Sequence, residues 1–135
     1  FNERVLDEAL NKNNPLFERL KFVSIFCSNL DEFYMVRVGS LVDLHLVAPE
    51  ALDNKGGHTP AQQLAMIYAA VEPMIRRRDS VYAQVSAALA ERGVEDIPYE
   101  KLKGEDRDYV RSVYRSSIRP LLSPQIIDSS HPFPT

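Results

Sequence analysis

The residue of this chain best suited to touch a ligand is Asn29, in the phrase Ser28-Asn29-Leu30-Asp31-Glu32-Phe33. Asn29 with Glu32 has capping-box spacing, and Ser28 with Asp31 repeats it one residue earlier, so the phrase predicts a helix start. At a helix start, free backbone N–H groups and the dipole favour an anion, and a carboxamide can also read a base edge. The plain reading of the same residue is a cap, and residue physics alone favours it. Arg76-Arg77-Arg78 is the strongest basic cluster. Three consecutive helical positions fan over roughly 200°, so they cannot all face one ligand. Arg76 and Arg78 are the candidate anion contacts. Arg78 would bury its stem and need an acidic or phosphate partner at its head. The plain reading of the cluster is a solvated or ion-paired role.

Other reactive residue types form no constellation. His45, His58 and His131 are far apart, with no metal-ligand spacing. Cys27 is the single cysteine, which excludes an internal disulfide framework and a cysteine-based zinc site. It reads as a small hydrophobe on a central helix. Asp31-Glu32 reads as acids stabilising a helix start rather than a paired-acid site. Gly56-Gly57 stands alone in a polar loop and is no phosphate cradle. No catalytic residue and no metal ligand is expected in this segment.

The elements that must position these residues are helical. Val5, Leu6, Ala9 and Leu10 place one stripe on a helix over residues 2–11, with Asn2 as cap. Asn14 caps a second helix, 15–27, with Pro15 in its first turn. Its second half is apolar nearly all round, which belongs at the centre of a bundle. A third helix covers 30–46, with Phe33, Val36, Leu41 and Leu44 on its apolar face; a break or only a kink separates it from the second. Residues 48–59 form a loop. Thr59-Pro60 then opens a long helix, about 60–92, bent at Pro73. Leu64, Tyr68, Val71, Ile75, Arg78, Tyr82, Val85 and Leu89 repeat along it with alternating spacings of 4 and 3, a coiled-coil-like seam. Gly93 terminates that helix. A connector over 94–102, a last helix over 105–118 and an extended proline-bearing tail follow. The fold class is all-α, a helical bundle. The expected division is a helical domain over 1–122 and the linker or start of a further domain over 123–135.

Of 135 residues, 44% are hydrophobic, and 16 basic against 19 acidic residues give a net charge of −3. That balance argues against a chain built to coat nucleic acid. No apolar run approaches the roughly 18–20 residues of a membrane span, and no leader pattern opens the chain. Both ends read as cuts through a longer protein.

Three phrases resemble one family: Phe1-Asn2-Glu3-Arg4-Val5-Leu6, Asn14-Pro15-Leu16-Phe17-Glu18-Arg19-Leu20-Lys21-Phe22, and Ser28 through Arg37. They resemble the N-terminal domain of bacterial polyphosphate kinase of the long, multidomain type. Ser130-His131-Pro132-Phe133-Pro134 resembles the entry to that family's head domain. The stretch over 47–122 carries no signature of it but keeps its helical pattern. The resemblance implies an enzyme that moves the terminal phosphate of ATP reversibly onto polyphosphate through a phosphohistidine, with Mg2+. It implies a helical domain that touches the adenine end of ATP, and it carries the family's ATP-binding asparagine onto Asn29. It also implies a cytoplasmic protein, or one peripheral to the inner membrane face, that associates with its own further domains and with a second copy. None of His45, His58 and His131 matches the phosphorylated histidine, and the magnesium ligands match nothing here. This segment alone is therefore expected to be inactive. The alternative from another class is a helical interaction or dimerisation module without a ligand, to which the long seam lends support.

Overall fold

Helix α1 spans Asn2–Leu10, a length set by one apolar stripe that puts Leu6 and Ala9 fully inside. The computed structural model describes residues 1–128, 130 and 133. Asn2 is not the cap; Phe1 holds that position, and the Asn2 side chain turns toward the next helix. The last carbonyls of α1 find side-chain donors: Asn14 Nδ2 reaches Glu8 O at 2.9 Å and Arg19 Nε reaches Ala9 O at 2.7 Å. Asn14 therefore finishes one helix rather than capping the next, which starts behind Pro15 with no side-chain cap.

Helix α2 spans Leu16–Phe33 without interruption. The capping signals at 28–32 do not open a helix there. Val23 and Phe26 are buried and Leu30 half-buried, one stripe running straight past Ser28 and Asn29. Packing of that stripe outweighs a local capping preference worth only about 1 kcal/mol. The irregularity lies further on, as a π turn over Tyr34–Val38 in which Gly39 N–H reaches back to Tyr34 O. Helix α3, Gly39–Val47, continues from it. A π turn inserts one residue and advances the phase. Beyond Phe33 the inward residues are thus Val38 and Leu41, while Val36 and Leu44 are exposed. Tyr34 stacks on Tyr68 of the following helix, ring centroids 6.4 Å apart.

Helix α4, Pro60–Ala90, opens with the predicted cap. Thr59 Oγ1 accepts from Gln62 N at 3.3 Å, and Gln62 Oε1 accepts from Thr59 N at 2.9 Å. The helix runs uninterrupted through Pro73. Pro73 and Ala69, whose carbonyl loses its donor there, are both on the exposed side, where water can replace the bond. Gly93, at φ +79°, ends the helix, with Gly93 N–H to Ala90 O and Val94 N–H to Leu89 O in the Schellman pattern.

The seam on α4 is real, but two of its eight positions shift by one. Val71, Val85 and Leu89 are buried as expected, whereas Tyr68 and Tyr82 are exposed and Val81 is buried in place of the latter. Ile67 and Met74 likewise turn inward. At these two steps the sequence offers an aliphatic residue beside each tyrosine, and the aliphatic one takes the inward place. Val81, Val85 and Leu89 pack against Ala9 of α1 and Val23 of α2. The seam is used inside the chain.

These elements form the first of two compact units, Phe1–Glu95. The second is Asp96–Thr135. It holds a 3-10 turn at Tyr99–Lys101, helix α5 at Gly104–Val113, a π turn at Tyr114–Ile118 and a 3-10 turn at Arg119–Leu121. The expected helix over 105–118 is thus an α-helix finished by a π turn. Arg107 sits over the Tyr99 ring, 5.4 Å from its centroid. The Arg107 guanidinium, then Arg111, holds the Tyr99 hydroxyl below the usual phenol range. Residues 123–127 carry no regular structure; of the tail prolines, Pro132 and Pro134 lie outside the described residues, as does His131. No strand occurs among the described residues, and none of their helices is long and apolar enough to cross a membrane.

Candidate functional site

Within the first unit, Asn29 opens onto a cavity of about 390 Å³. Its walls are Phe1 and Asn2 at the start of α1, Asn29, Leu30 and Phe33 on α2, and Val71 and Met74 on α4. The apolar residues are there because three amphipathic helices converge without filling the space between them. Against that apolar wall stand two carboxamides. Asn29 Nδ2 donates to Asn2 Oδ1 at 3.0 Å, and Asn2 Nδ2 donates to the backbone carbonyl of Phe26 at 3.4 Å. Both asparagines are half-buried. A mostly apolar hollow of this size with a few convergent polar groups has the make-up of a small-molecule site.

Asn29 lies inside α2, so its surroundings are not those of a helix start. The neighbouring backbone N–H groups belong to the helix, and the expected anion-favouring dipole end is absent at this position. What it can offer a ligand is the side-chain amide alone. Sequence reasoning singled out Asn29 as a candidate but gave Asn2 a different role, and it did not single out Phe1, Phe33, Val71 or Met74 as walls. Nothing in local spacing links residues 2, 29 and 71; only the packing of three helices does.

The three arginines separate, as their angular spread requires. Arg76 pairs with Glu72 one turn earlier at 2.7 Å, in solvent. Arg77 reaches Asp7 of α1 at 2.5 Å. Arg78 turns toward α2, where Nη1 donates to Cys27 Sγ at 3.2 Å. Its Nε lies 2.7 Å from Asp79 Oδ1, a charge contact that forms no aligned hydrogen bond. The Cys27 contact foremost, with Asp79 behind it, holds the Arg78 guanidinium still further into its charged range. Arg78 lines a second hollow of about 420 Å³ with Leu20, Val23, Ser24, Cys27, Asp79 and Tyr82. Cys27 and Asn29 are two residues apart on one helix, roughly 200° around it, so the two hollows open on different faces of α2. Neither Arg76 nor Arg78 lines the Asn29 cavity.

His45 is exposed on α3 and His58 is half-buried in the loop before α4. Among the described residues no three His, Cys, Asp or Glu side chains gather as a metal site. In the second unit, Tyr99, Tyr109, Val110, Val113, Tyr114 and Ile118 line an apolar trough of about 700 Å³, with Arg111 and Arg115 at its edge.

By class the fold is an all-α helical bundle, with a carboxamide pair set in a mostly apolar cavity. Residues 1–97 match the family described as the polyphosphate kinase N-terminal domain, and the chain belongs to that family. The match ends close to where the first compact unit ends. Proteins named polyphosphate kinase align over 99% of the chain: one from Bacillus anthracis is 44% identical, one from Synechocystis 43%, and one from an Exiguobacterium species 40%. The chain spans only about a fifth of the length of these relatives, 18–19% in each case.

Proposed function

We propose that this chain is the nucleotide-contacting part of a polyphosphate kinase, and that Asn29 meets the adenine end of ATP. The observation that carries the reading is the amide of Asn29 on an otherwise apolar cavity between α1, α2 and α4. Apolar walls suit the faces of a purine ring, and a single amide suits its hydrogen-bonding edge. The remaining chemistry of this proposal is what the family resemblance implies. The full-length protein transfers the terminal phosphate of ATP reversibly to polyphosphate, through a phosphohistidine outside this segment. Among the described residues no cluster of metal ligands gathers, and we assign Mg2+ to residues elsewhere in the full-length protein. We also assign ADP and polyphosphate as ligands of the whole enzyme, which works as a homo-oligomer in the cytoplasm. The role of the segment described here is to hold the base and exclude water, contributing by orientation rather than by charge at the reacting phosphate. Arg76 and Arg78, which lie outside the Asn29 cavity, are assigned only as secondary anion contacts.

The test is Asn29→Ala in the full-length protein. Loss of the Asn29 hydrogen bonds to the base should raise the KM for ATP about tenfold or more with kcat nearly unchanged. An unchanged KM with intact folding would reject the assignment. The competing view, an interaction module without a ligand, draws its support from the apolar trough of α5. The seam on α4 does not help it, since that seam packs on α1 and α2 within the chain.

A further inference from the structure

We infer that Asn2 is a positioning residue that dictates which end of the Asn29 amide meets the ligand, and thereby a preference for 6-amino over 6-oxo purines. The inference rests on the reading of Asn29 as the purine contact.

A chain of hydrogen bonds fixes the orientation. The backbone carbonyl of Phe26 can only accept, so it takes the NH2 end of Asn2, at 3.4 Å. That leaves Asn2 Oδ1 facing Asn29. A carbonyl oxygen also only accepts, so the end of Asn29 turned toward Asn2 must be Nδ2, at 3.0 Å. The Asn29 oxygen then has to point away from Asn2. Rotating the Asn29 amide by half a turn would break the bond and set two oxygens against each other. The sense of both side chains thus follows from a main-chain atom of α2, whose position is fixed because Phe26 itself is fully buried.

With one N–H engaged by Asn2, Asn29 keeps Oδ1 as an acceptor and its second N–H as a donor. A 6-amino purine complements that pair along its N1 edge: its exocyclic NH2 donates to Oδ1 while ring N1 accepts the N–H. A 6-oxo purine presents an oxygen to Oδ1, and two acceptors then oppose each other without a proton. An amide free to flip could turn its NH2 toward that oxygen. An amide held by Asn2 cannot. Discrimination therefore depends on Asn2 even though Asn29 makes the contact.

The experiment compares ATP with inosine triphosphate, which carries an oxygen in place of the 6-amino group and a proton on N1, in the full-length protein. The wild type should prefer ATP. Asn2→Ala should shrink the ratio of kcat/KM for the two nucleotides about tenfold, the worth of one hydrogen bond. The change should fall on KM, with kcat for ATP little altered. Asn2→Ser, a milder change in the first turn of α1, serves if Asn2→Ala does not fold; its hydroxyl is too short to join Phe26 and Asn29, and it should lose the preference equally. Retention of the full ATP preference in a folded Asn2 variant, while Asn29→Ala raises the KM for ATP, overturns the positioning role and leaves the purine contact standing. An unaltered KM in Asn29→Ala removes the contact and the inference together.

Discussion

The two units carry similar amphipathic helices to opposite ends. In the first, Leu6, Phe26 and Val85 have no exposed surface at all. In the second, no described side chain is buried, and Tyr109 and Leu121 remain 71% and 82% exposed. An amphipathic helix is half an interface. It becomes a core only where other elements of its unit offer apolar faces at the right spacing. Helices α1, α2 and α4 do so for one another. Helix α5 has only short turns beside it in its unit. The same contrast explains where a ligand site can be precise: the Asn2–Asn29 pair hangs on a buried frame, whereas the trough of α5 has none under it.

The strongest way to break that comparison is to remove its largest buried side chain. Phe26→Ala should destabilise the chain by about 3–5 kcal/mol, read from urea denaturation, because transfer and cavity terms add. Tyr109→Ala on α5 should stay within about 0.5 kcal/mol. Comparable losses at the two positions would mean that α5 shares a core after all. Phe26→Ala should also loosen Asn2, whose amide leans on the Phe26 carbonyl.

A smaller effect sharpens the role of chain geometry inside the first unit. Gly93 has φ +79° and open space around the position of a Cβ. Gly93→Ala should therefore cost about 1 kcal/mol, wholly from the left-handed backbone. Gly39 is helical, and a Cβ there meets only Tyr34 O, at an ordinary 3.7 Å. Gly39→Ala should be neutral or stabilise by up to about 1 kcal/mol. Thermal unfolding of both variants distinguishes conformational cost from crowding, and the reverse order would reject this account of the helix end.

Gly93, like Thr59-Pro60, was legible because its signal is local: a residue type and its immediate neighbours decide the geometry. The helical class was legible for the same reason, since a 3.6-residue period needs no knowledge of partners. The seam was legible in part. At Ile67 or Tyr68 and at Val81 or Tyr82 the sequence offers two apolar choices, and only the position of α1 and α2 selects one. The phrase at 28–32 misled because capping residues permit a helix start without compelling it, while Phe26, Leu30 and Phe33 hold the helix together across the gap. The phase after Phe33 was hidden by the π turn, which no composition marks. Asn29 was proposed through a family phrase; its hydrogen-bond partner Asn2, 27 positions away, became visible only with α1 docked on α2.

The smallest effect tests whether polar loops add to what the apolar core supplies. Asp53 Oδ1 accepts from Lys55 N at 2.8 Å, from Gly57 N at 3.2 Å and from Gly56 N, tying the loop before α4. The Gly56 N–H foremost, then that of Lys55, holds the Asp53 carboxyl below the usual aspartate range. A carboxyl with a depressed folded value contributes its stabilisation fully at neutral pH and loses it as pH falls through that value. Asp53 is half-buried in a surface loop, so the contribution is small and local. Asp53→Asn should speed amide exchange at Lys55 to Gly57 at neutral pH, and the difference from wild type should close as the solution is acidified past the ordinary aspartate range. A difference that persists unchanged in acid would show that shape, not charge, orders the loop. A large shift in the unfolding midpoint of the whole chain would show instead that the first unit leans on this loop as much as on Phe26 and Val85, and the contrast between core and periphery would need redrawing.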